Sequence, residues 1–277
     1  MKIRDLLKKE IDKLNKNEIE DSFFKAKILL SYEMGCDIQY LNIHIDEDVN
    51  NNVIKKFETD IQKVIQGIPV QYITKHQEFY GFDFFVDNDV LIPQPDTEVL
   101  VEEVINLCKQ FTTKPKIVDM CTGSGAIAIA ICKNIEVDMV ATDINKNALK
   151  IAKKNATKNN ANIKFIEGDM FENINEKFDI IVSNPPYIET STIEKLSNEV
   201  RNEPLIALDG GKDGLEFYRI LVSNAQKYLN HNGILAVEIG YNQGKNVSNL
   251  FKNSGLVKVY VKKDLSGNDR IVVGKVG

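Results

Sequence analysis

The sequence has no tryptophan, only three histidines and four cysteines, and only seven prolines in 277 residues. The histidines (His44, His76, His231) are scattered, so neither a metal site nor a catalytic triad is expected. The cysteines (Cys36, Cys108, Cys121, Cys132) form no CxxC pair, which argues for reduced, mostly buried thiols over a disulfide or metal framework. No apolar run approaches the roughly 20 residues of a membrane helix. Met1–Glu10 is charged throughout and no apolar stretch follows, unlike a signal peptide. The expectation is a cytoplasmic protein. Positive charge is also short: 35 Lys and Arg stand against 40 Asp and Glu, a net −5. Binding that rests on phosphate neutralisation calls for a basic face, so nucleic acid is not expected as the main ligand. A protein or small-molecule substrate fits better.

What is present divides into two kinds of pattern. Residues 1–74 read as three to five short helices. Ile3, Leu6, Leu7, Ile11 and Leu14 recur at helical spacing, and further helices are expected around Phe23–Glu33 and Val49–Gln66. Gly35 and Gly67-Ile68-Pro69 break them. From Glu78 to Pro93 aromatic and β-branched residues surround Gly81 and Asp87-Asn88-Asp89, which reads as a β-hairpin. Residues 75–95 are expected to link two domains. Asp96 or Thr97 is then expected to cap a helix running to about Lys109.

Beyond Pro115, strands and helices alternate. Strands are expected at Lys116–Met120, Asp138–Thr142, Ile163–Ile166, Phe178–Ser183, Gly233–Ile239, Leu256–Lys262 and Arg270–Gly274. The helices between them fall at Ala126–Lys133, Lys146–Asn159, Leu215–Leu229 and Gln243–Ser254. This alternation implies an α/β fold with a doubly wound, mostly parallel sheet. Only Asp264–Asp269 separates the last two strands, too short for a parallel crossover, so they should be antiparallel. Seven strands with the last antiparallel is the Rossmann-like sheet of class I methyltransferases, here preceded by a helical bundle.

Two segments carry chemistry. After the first of these strands, Cys121-Thr122-Gly123-Ser124-Gly125 forms a small-residue turn that opens a helix. Gly123 and Gly125 are expected to let a ligand approach the backbone, and Ala126 and Ala128 to permit tight helix packing. Asp143, about 20 residues on at the end of the second strand, can accept both hydroxyl protons of a ribose. Asp119 is expected to accept from the turn or from a ligand ammonium group. Asp169 and Met170, after the third strand, can grip an adenine. These features support an adenosine-containing cofactor without separating S-adenosylmethionine from NAD.

The second segment is Asn184-Pro185-Pro186-Tyr187, at the carboxyl end of the strand Phe178–Ser183, where open α/β sheets place ligands. Two prolines remove two backbone donors and fix the turn. The Asn184 side-chain oxygen and the Pro185 carbonyl can take both protons of a substrate –NH2 group, while Tyr187 offers an aromatic face. An amide or aromatic amine nitrogen has its lone pair delocalised and is a poor nucleophile. Acceptors that orient it and favour its pyramidal, partly positive transition state supply catalysis without a strong base.

With these motifs in this order, the sequence resembles the peptide chain release factor glutamine methyltransferases, the PrmC/HemK family. The resemblance spans nearly the whole chain: Gly67-x-Pro69, Glu78-Phe79, LIPQPDTE (Leu91–Glu98), VDMCTGSGAIAIA, TDINKNAL, GDMF, DIIVSNPPYI, Glu203-Pro204 with Gly210-Gly211-x-Asp213-Gly214, and DLSGNDRIVVG. It implies S-adenosylmethionine as methyl donor, S-adenosylhomocysteine as product, and the glutamine of a Gly-Gly-Gln motif in class 1 release factors as acceptor. It places cofactor contacts on Cys121–Gly125, Asp143, Met170 and Asn184, and substrate contacts on Asn184–Tyr187. The helical domain would recognise the protein substrate, and a monomer is expected. The sequence departs from the family pattern at Cys121 (usually Gly), Met170 (often Trp or Phe) and Gln94 (commonly Arg).

Three other functions compete. An adenine amino-methyltransferase could use the same NPPY turn, but the acidic charge balance and lack of a basic arm oppose it. An NAD-dependent oxidoreductase would leave NPPY unexplained and lacks a hydride-transfer acid. A non-catalytic binding module would leave Asn184 without a role.

Overall fold

A computed structural model describes residues 1–277. Its contacts divide the chain into two compact units, Met1–Lys75 with Ser197–Asn202, and His76–Leu196 with Glu203–Gly277.

The first unit holds α1 (Ile3–Lys16), α2 (Ser22–Met34), α3 (Ile38–Ile43), α4 (Asn51–Ile65) and α5 (Val70–Thr74). Each longer helix turns one apolar face inward. Leu6, Leu14, Leu29, Leu30, Phe57 and Ile61 are fully buried in a common core, each such side chain contributing roughly 1.5–3 kcal/mol. Polar caps set the boundaries: Asp37 accepts from Tyr40 N at 2.6 Å and Asn50 from Asn52 N at 2.8 Å. Gly35, at φ +65°, closes α2.

The second unit begins with a hairpin of β1 (Gln77–Phe79) and β2 (Phe82–Phe84), then α6 (Glu98–Cys108) and β3 (Lys116–Met120). The hairpin is shorter than expected, because Asp87–Asp89 form a separate turn further along. The chain continues through α7 (Ala126–Asn134), β4 (Asp138–Asp143), α8 (Lys146–Lys158), β5 (Ile163–Glu167) and β6 (Phe178–Ser183). A four-residue helix, α9 (Asn198–Arg201), belongs to the first unit. The sheet unit resumes with α10 (Leu205–Leu208), α11 (Glu216–Tyr228), β7 (Leu229–Glu238), α12 (Gly244–Asn253), β8 (Leu256–Lys263) and β9 (Asp269–Val276).

The sheet order is β5-β4-β3-β6-β7-β9-β8. β9 runs antiparallel to both neighbours, and the other pairs are parallel. This is the class I methyltransferase fold. Central strands are apolar on both faces, as a covered parallel sheet requires, and Val118, Ile181, Leu235 and Val272 share a core with Tyr218, Leu221 and Phe251. Register positions the site. Met120 pairs with Thr142 on one side and Ser183 on the other. Cys121, Asp143 and Asn184 therefore reach the same edge of the sheet, one residue beyond those partners. No helix is long and apolar enough to cross a membrane.

Candidate active site

At that edge lies a cavity of about 950 Å³, its open mouth included. Apolar clefts with a few convergent polar groups are where small molecules and cofactors bind. Of the residues singled out from sequence, Cys121, Thr122, Gly123, Ser124, Asp143, Asp169, Met170, Asn184 and Pro186 line it. Asp119, Gly125, Pro185 and Tyr187 do not line it.

The glycine turn forms one side. Thr122 N donates to Thr142 O at 2.9 Å, fixing the turn to β4. Gly123 adopts φ +53°, and a Cβ there would meet nothing within 4 Å. The missing side chain leaves open space against the backbone, the cradle that a close-lying ligand needs. Gly125 serves a different end: at φ +82° its added Cβ would sit 3.2 Å from both Ala152 and Ile129. Helix packing, not ligand approach, requires glycine at that position.

Asp143 joins the two strands' turns. Its Oδ2 accepts from Gly123 N and its Oδ1 from Asn145 N, both at 2.8 Å. Each oxygen keeps a further lone pair for a diol. Burial pushes this carboxyl above the usual range, and the backbone donors pull it back. Asp119 is fully buried; its Oδ2 accepts from the Thr122 hydroxyl at 2.6 Å and its Oδ1 has no partner. Burial raises it to about 7. Its contact is with the turn, as one of the two sequence expectations had it.

Two departures from the family pattern touch each other. Cys121 and Met170 both have positive φ, +60° and +47°, and Cys121 Sγ lies 3.7 Å from Met170 Sδ. Burial holds the Cys121 thiol neutral by raising its pKa. Gln94, the third departure, lines the cavity and donates to Ile92 O at 3.0 Å.

The NPPY turn forms the opposite side. Asn184 Nδ2 donates to Thr97 Oγ1 at 3.3 Å. Tyr187 is mostly buried, and its carbonyl accepts from Gln243 Nε2 at 2.9 Å. Burial raises the Tyr187 hydroxyl well above its ordinary value. The segment Leu208–Gly214 braces the turn: Ile188 N donates to Leu208 O at 3.0 Å, and Gly210 N to Ile188 O at 2.8 Å. A Cβ on Gly210 would stand 2.7 Å from Tyr187 Cα, so only glycine fits there.

Several lining residues were given no role in the site from sequence, although LIPQPDTE and TDINKNAL contain some of them. Asp89–Leu91, Pro93 and Gln94 form part of the wall. This stretch packs on α8: Asn145 Nδ2 donates to Asp89 O at 3.1 Å, and nearby Asn155 bonds the Phe85 backbone through both ends of its amide. Thr97 was expected as a helix cap. It is helical itself, makes no capping bond, and lines the cavity. Ile144, Ile206, Ala207 and Phe217 supply apolar surface.

The donor set fits an adenosyl cofactor: an open backbone turn, a carboxylate with free lone pairs, and apolar walls beside them. No cluster of acidic, histidine or cysteine side chains could hold a metal ion.

Residues 95–202 match the methyltransferase small domain, and residues 5–74 the PrmC N-terminal domain. The release factor glutamine methyltransferase of Clostridium acetobutylicum is 39% identical over 284 residues, covering 100% of this chain and 99% of its own. That of Geobacter sulfurreducens is 38% identical, covering 94% and 91%. A methyltransferase from Pyrococcus furiosus superimposes with a TM-score of 0.55 at 19% identity, covering 79% of this chain and 98% of its own, a likeness of fold alone. With near-complete coverage at such identity, the chain belongs to the release factor glutamine methyltransferase family.

Proposed function

We propose that the protein methylates the side-chain amide nitrogen of the glutamine in the Gly-Gly-Gln motif of class 1 release factors, with S-adenosylmethionine as donor. One observation carries this reading: a single cavity is lined by the Gly123 turn, Asp143 and Asn184. A nucleoside-binding half and an amide-accepting half thus face the same space. The family's relatives carry the same activity in their names.

When bound, the cofactor supplies an electrophilic methyl on a sulfonium. Asp143 would accept the ribose hydroxyls, the Cys121–Gly125 backbone would lie along the ligand, and Asp169 with Met170 would hold the adenine. The Asn184 Oδ1 would accept one proton of the substrate amide and the Pro185 carbonyl the other. Pro186, Ile206 and Phe217, which line the cavity, would confine the planar group. Orientation and fixed dipoles then do the work, and the proton leaves to solvent after transfer. Residues 1–74 would recognise the folded release factor, a cytoplasmic protein substrate.

Incubation of class 1 release factors with the protein and S-adenosylmethionine, followed by peptide mass spectrometry, tests this. The expected product is a Gly-Gly-Gln peptide heavier by one methyl on its glutamine. Label on adenine in nucleic acid, with none on release factor, would replace this reading.

A further inference from the structure

The sheet unit buries most of its large apolar side chains, and the exceptions are not scattered. Val257, Tyr260 and Val261 lie on β8, the edge strand. The others are Ile144, Leu205, Ile206, Tyr241 and Leu265, and all five belong to connections at the cavity's edge of the sheet. β8 runs parallel to β7, both being antiparallel to β9, so the β8–β9 tip that carries Leu265 reaches that edge too. A single exposed apolar residue needs no explanation, but a group of them at one edge marks an interaction site. Ile144 and Ile206 line the cavity itself. Leu205 and Tyr241 stand outside it, 59% and 69% exposed, and Leu265 is wholly exposed.

Each of these three is held close to the site by hydrogen bonds. Leu205 opens α10, and Ile188, the residue after the NPPY turn, donates through its N to Leu208 O of that helix at 3.0 Å. Tyr241 lies in the turn Gly240–Gln243, where Gly240 N donates to Gln243 Oε1 at 3.0 Å. Gln243 Nε2 then donates to the Tyr187 carbonyl at 2.9 Å. At the β8–β9 tip, Asp264 accepts from Asn268 N at 2.9 Å and from Arg270, also at 2.9 Å. Arg270 reaches on to Asp96 at 2.8 Å, and Asp96 directly precedes Thr97 of the cavity wall. Loops braced in this way have given up their freedom on folding and lose little more on docking.

Charge narrows the choice of partner. The cavity is lined by Asp89, Asp143 and Asp169 and by no lysine, arginine or histidine. A phosphate backbone drawn to this mouth would meet charge of its own sign. An apolar rim beside an amide-accepting cavity suits a polypeptide instead, one that lays apolar groups on the rim and turns a single amide inward.

We propose that Leu205, Tyr241 and Leu265 form a docking rim for the polypeptide that flanks the methylated glutamine, and that this rim selects a protein over a free amide. The inference rests on the reading of Asn184 as the acceptor for that amide.

Serine at each position removes apolar surface without disturbing a buried group. Leu205→Ser, Tyr241→Ser and Leu265→Ser are compared with the parent in steady-state methylation of a release factor and of a Gly-Gly-Gln tripeptide, with S-adenosylmethionine saturating. KM for the release factor should rise about 10-fold in Leu265→Ser, the loss of one leucine's burial, and by less in the other two. kcat should stay within about twofold, because the contact is equal in ground and transition states. The tripeptide is too short to reach the rim, and its kcat/KM should change by less than about twofold. Leu265→Met keeps an apolar side chain of similar volume and should hold KM within about threefold of the parent. Val257→Ser, at the opposite end of β8, should leave KM at the parent's value. A parent KM in all three serine variants overturns the rim and leaves the amide mechanism standing. So does an equal loss on protein and tripeptide, which marks a disturbed cavity, or a methionine variant as impaired as the serine one. A rise in Val257→Ser that matches Leu265→Ser also counts against the rim. A parent that methylates an adenine-containing oligonucleotide and no release factor overturns the functional reading, and the rim's polypeptide with it.

Discussion

Strands β3 and β6 lie side by side and parallel, and each runs into a turn that faces the same cavity, yet the two turns are held in different ways. The glycine turn after β3 is tied to its surroundings by its own backbone: Thr122 N to β4, Gly123 N to Asp143, Ser124 O to Asn155 Nδ2 at 2.9 Å. Its ligand-facing surface is main chain, and a buried acid stands behind it too, Asp119, whose Oδ1 has no hydrogen-bond partner. The NPPY turn after β6 has lost two donors to proline and is held by side chains, Asn184 on Thr97 and Gln243 on the Tyr187 carbonyl. The first turn presents backbone, with Cys121 at a left-handed φ of +60°, and the second presents side chains. Sites that break the rules of stable packing are where function is expected.

The comparison breaks most directly at Asn184. Its alanine variant should keep the fold, since the residue ends a strand and its only side-chain bond is the one to Thr97. Loss of one preorganised dipole should cost on the order of 3–4 kcal/mol of transition-state stabilisation, about 10²–10³ in rate. Cofactor affinity should move far less, because Asp143 and the glycine turn are untouched. Rapid-quench turnover beside calorimetry reads both. A large loss of affinity with little loss of rate would reverse the roles assigned to the two turns.

Asp143→Ala should give the opposite pattern. Removing a carboxylate that accepts two backbone N–H groups and would accept a diol should weaken S-adenosylhomocysteine binding by roughly 1.5–3 kcal/mol per charged hydrogen bond lost. Turnover at saturating cofactor should be retained more nearly than affinity. Unchanged affinity would remove Asp143 from the ribose.

The two turns were also unequally legible in the sequence. The strands of the sheet unit follow from runs of β-branched residues, and β3 and β6 lie where Lys116–Met120 and Phe178–Ser183 were expected. The glycine turn and Asp143 are short-range signals, because a strand, a turn and the next strand's end are fixed by local patterning. The supports of the NPPY turn are not local. Thr97 and Asn184 are 87 residues apart, and no periodicity connects them. Thr97 looked like a cap because hydroxyls favour that role; the preceding turn Pro95–Thr97 is itself helical, which frees the hydroxyl for the site. Residues 75–95 read as a connection because hairpins and prolines often connect, yet Asp89–Gln94 help to wall the cavity. Tyr187 read as a substrate surface from its chemistry alone, yet it does not line the cavity, and its carbonyl is held by Gln243.

The buried acid near the NPPY turn has a thermodynamic signature, one that Asp119, also raised to about 7 behind the glycine turn, shares. Burial raises the Glu238 carboxyl from its ordinary 4.5 to about 7, against the pull of Thr97, Arg270 and Tyr187 and with Asp96 adding to the push. Below pH 4.5 both folded and unfolded chains hold the proton. Between 4.5 and 7 the unfolded chain gives it up while the folded chain keeps it, so this group's contribution to stability falls as pH rises. Above 7 the loss is complete. Glu238→Gln carries no charge at any pH, so its stability relative to the parent should improve from pH 5 to pH 8, by on the order of 1–3 kcal/mol. Thermal or urea unfolding at both pH values measures it. A constant difference across that range would mean that Glu238 is not protonated in the folded protein near neutrality.

The smallest effect separates backbone strain from side-chain contact in the glycine turn. Cys121 sits at φ +60°, where an L-residue pays roughly 1–2 kcal/mol and glycine pays nothing. Against this stands the Sγ contact to Met170 at 3.7 Å and the burial of a thiol. Alanine at 121 keeps the strain and gives up the contact. Glycine gives up both, and loses a further 0.5–1 kcal/mol or so through the greater freedom of the unfolded chain. The balance favours Cys121→Gly over Cys121→Ala by about 0.5–1 kcal/mol in urea unfolding, with cofactor affinity equal in the two. If alanine proves the more stable, the left-handed conformation is not what the turn asks of this position, and the pairing of Cys121 with Met170 must be explained by packing alone.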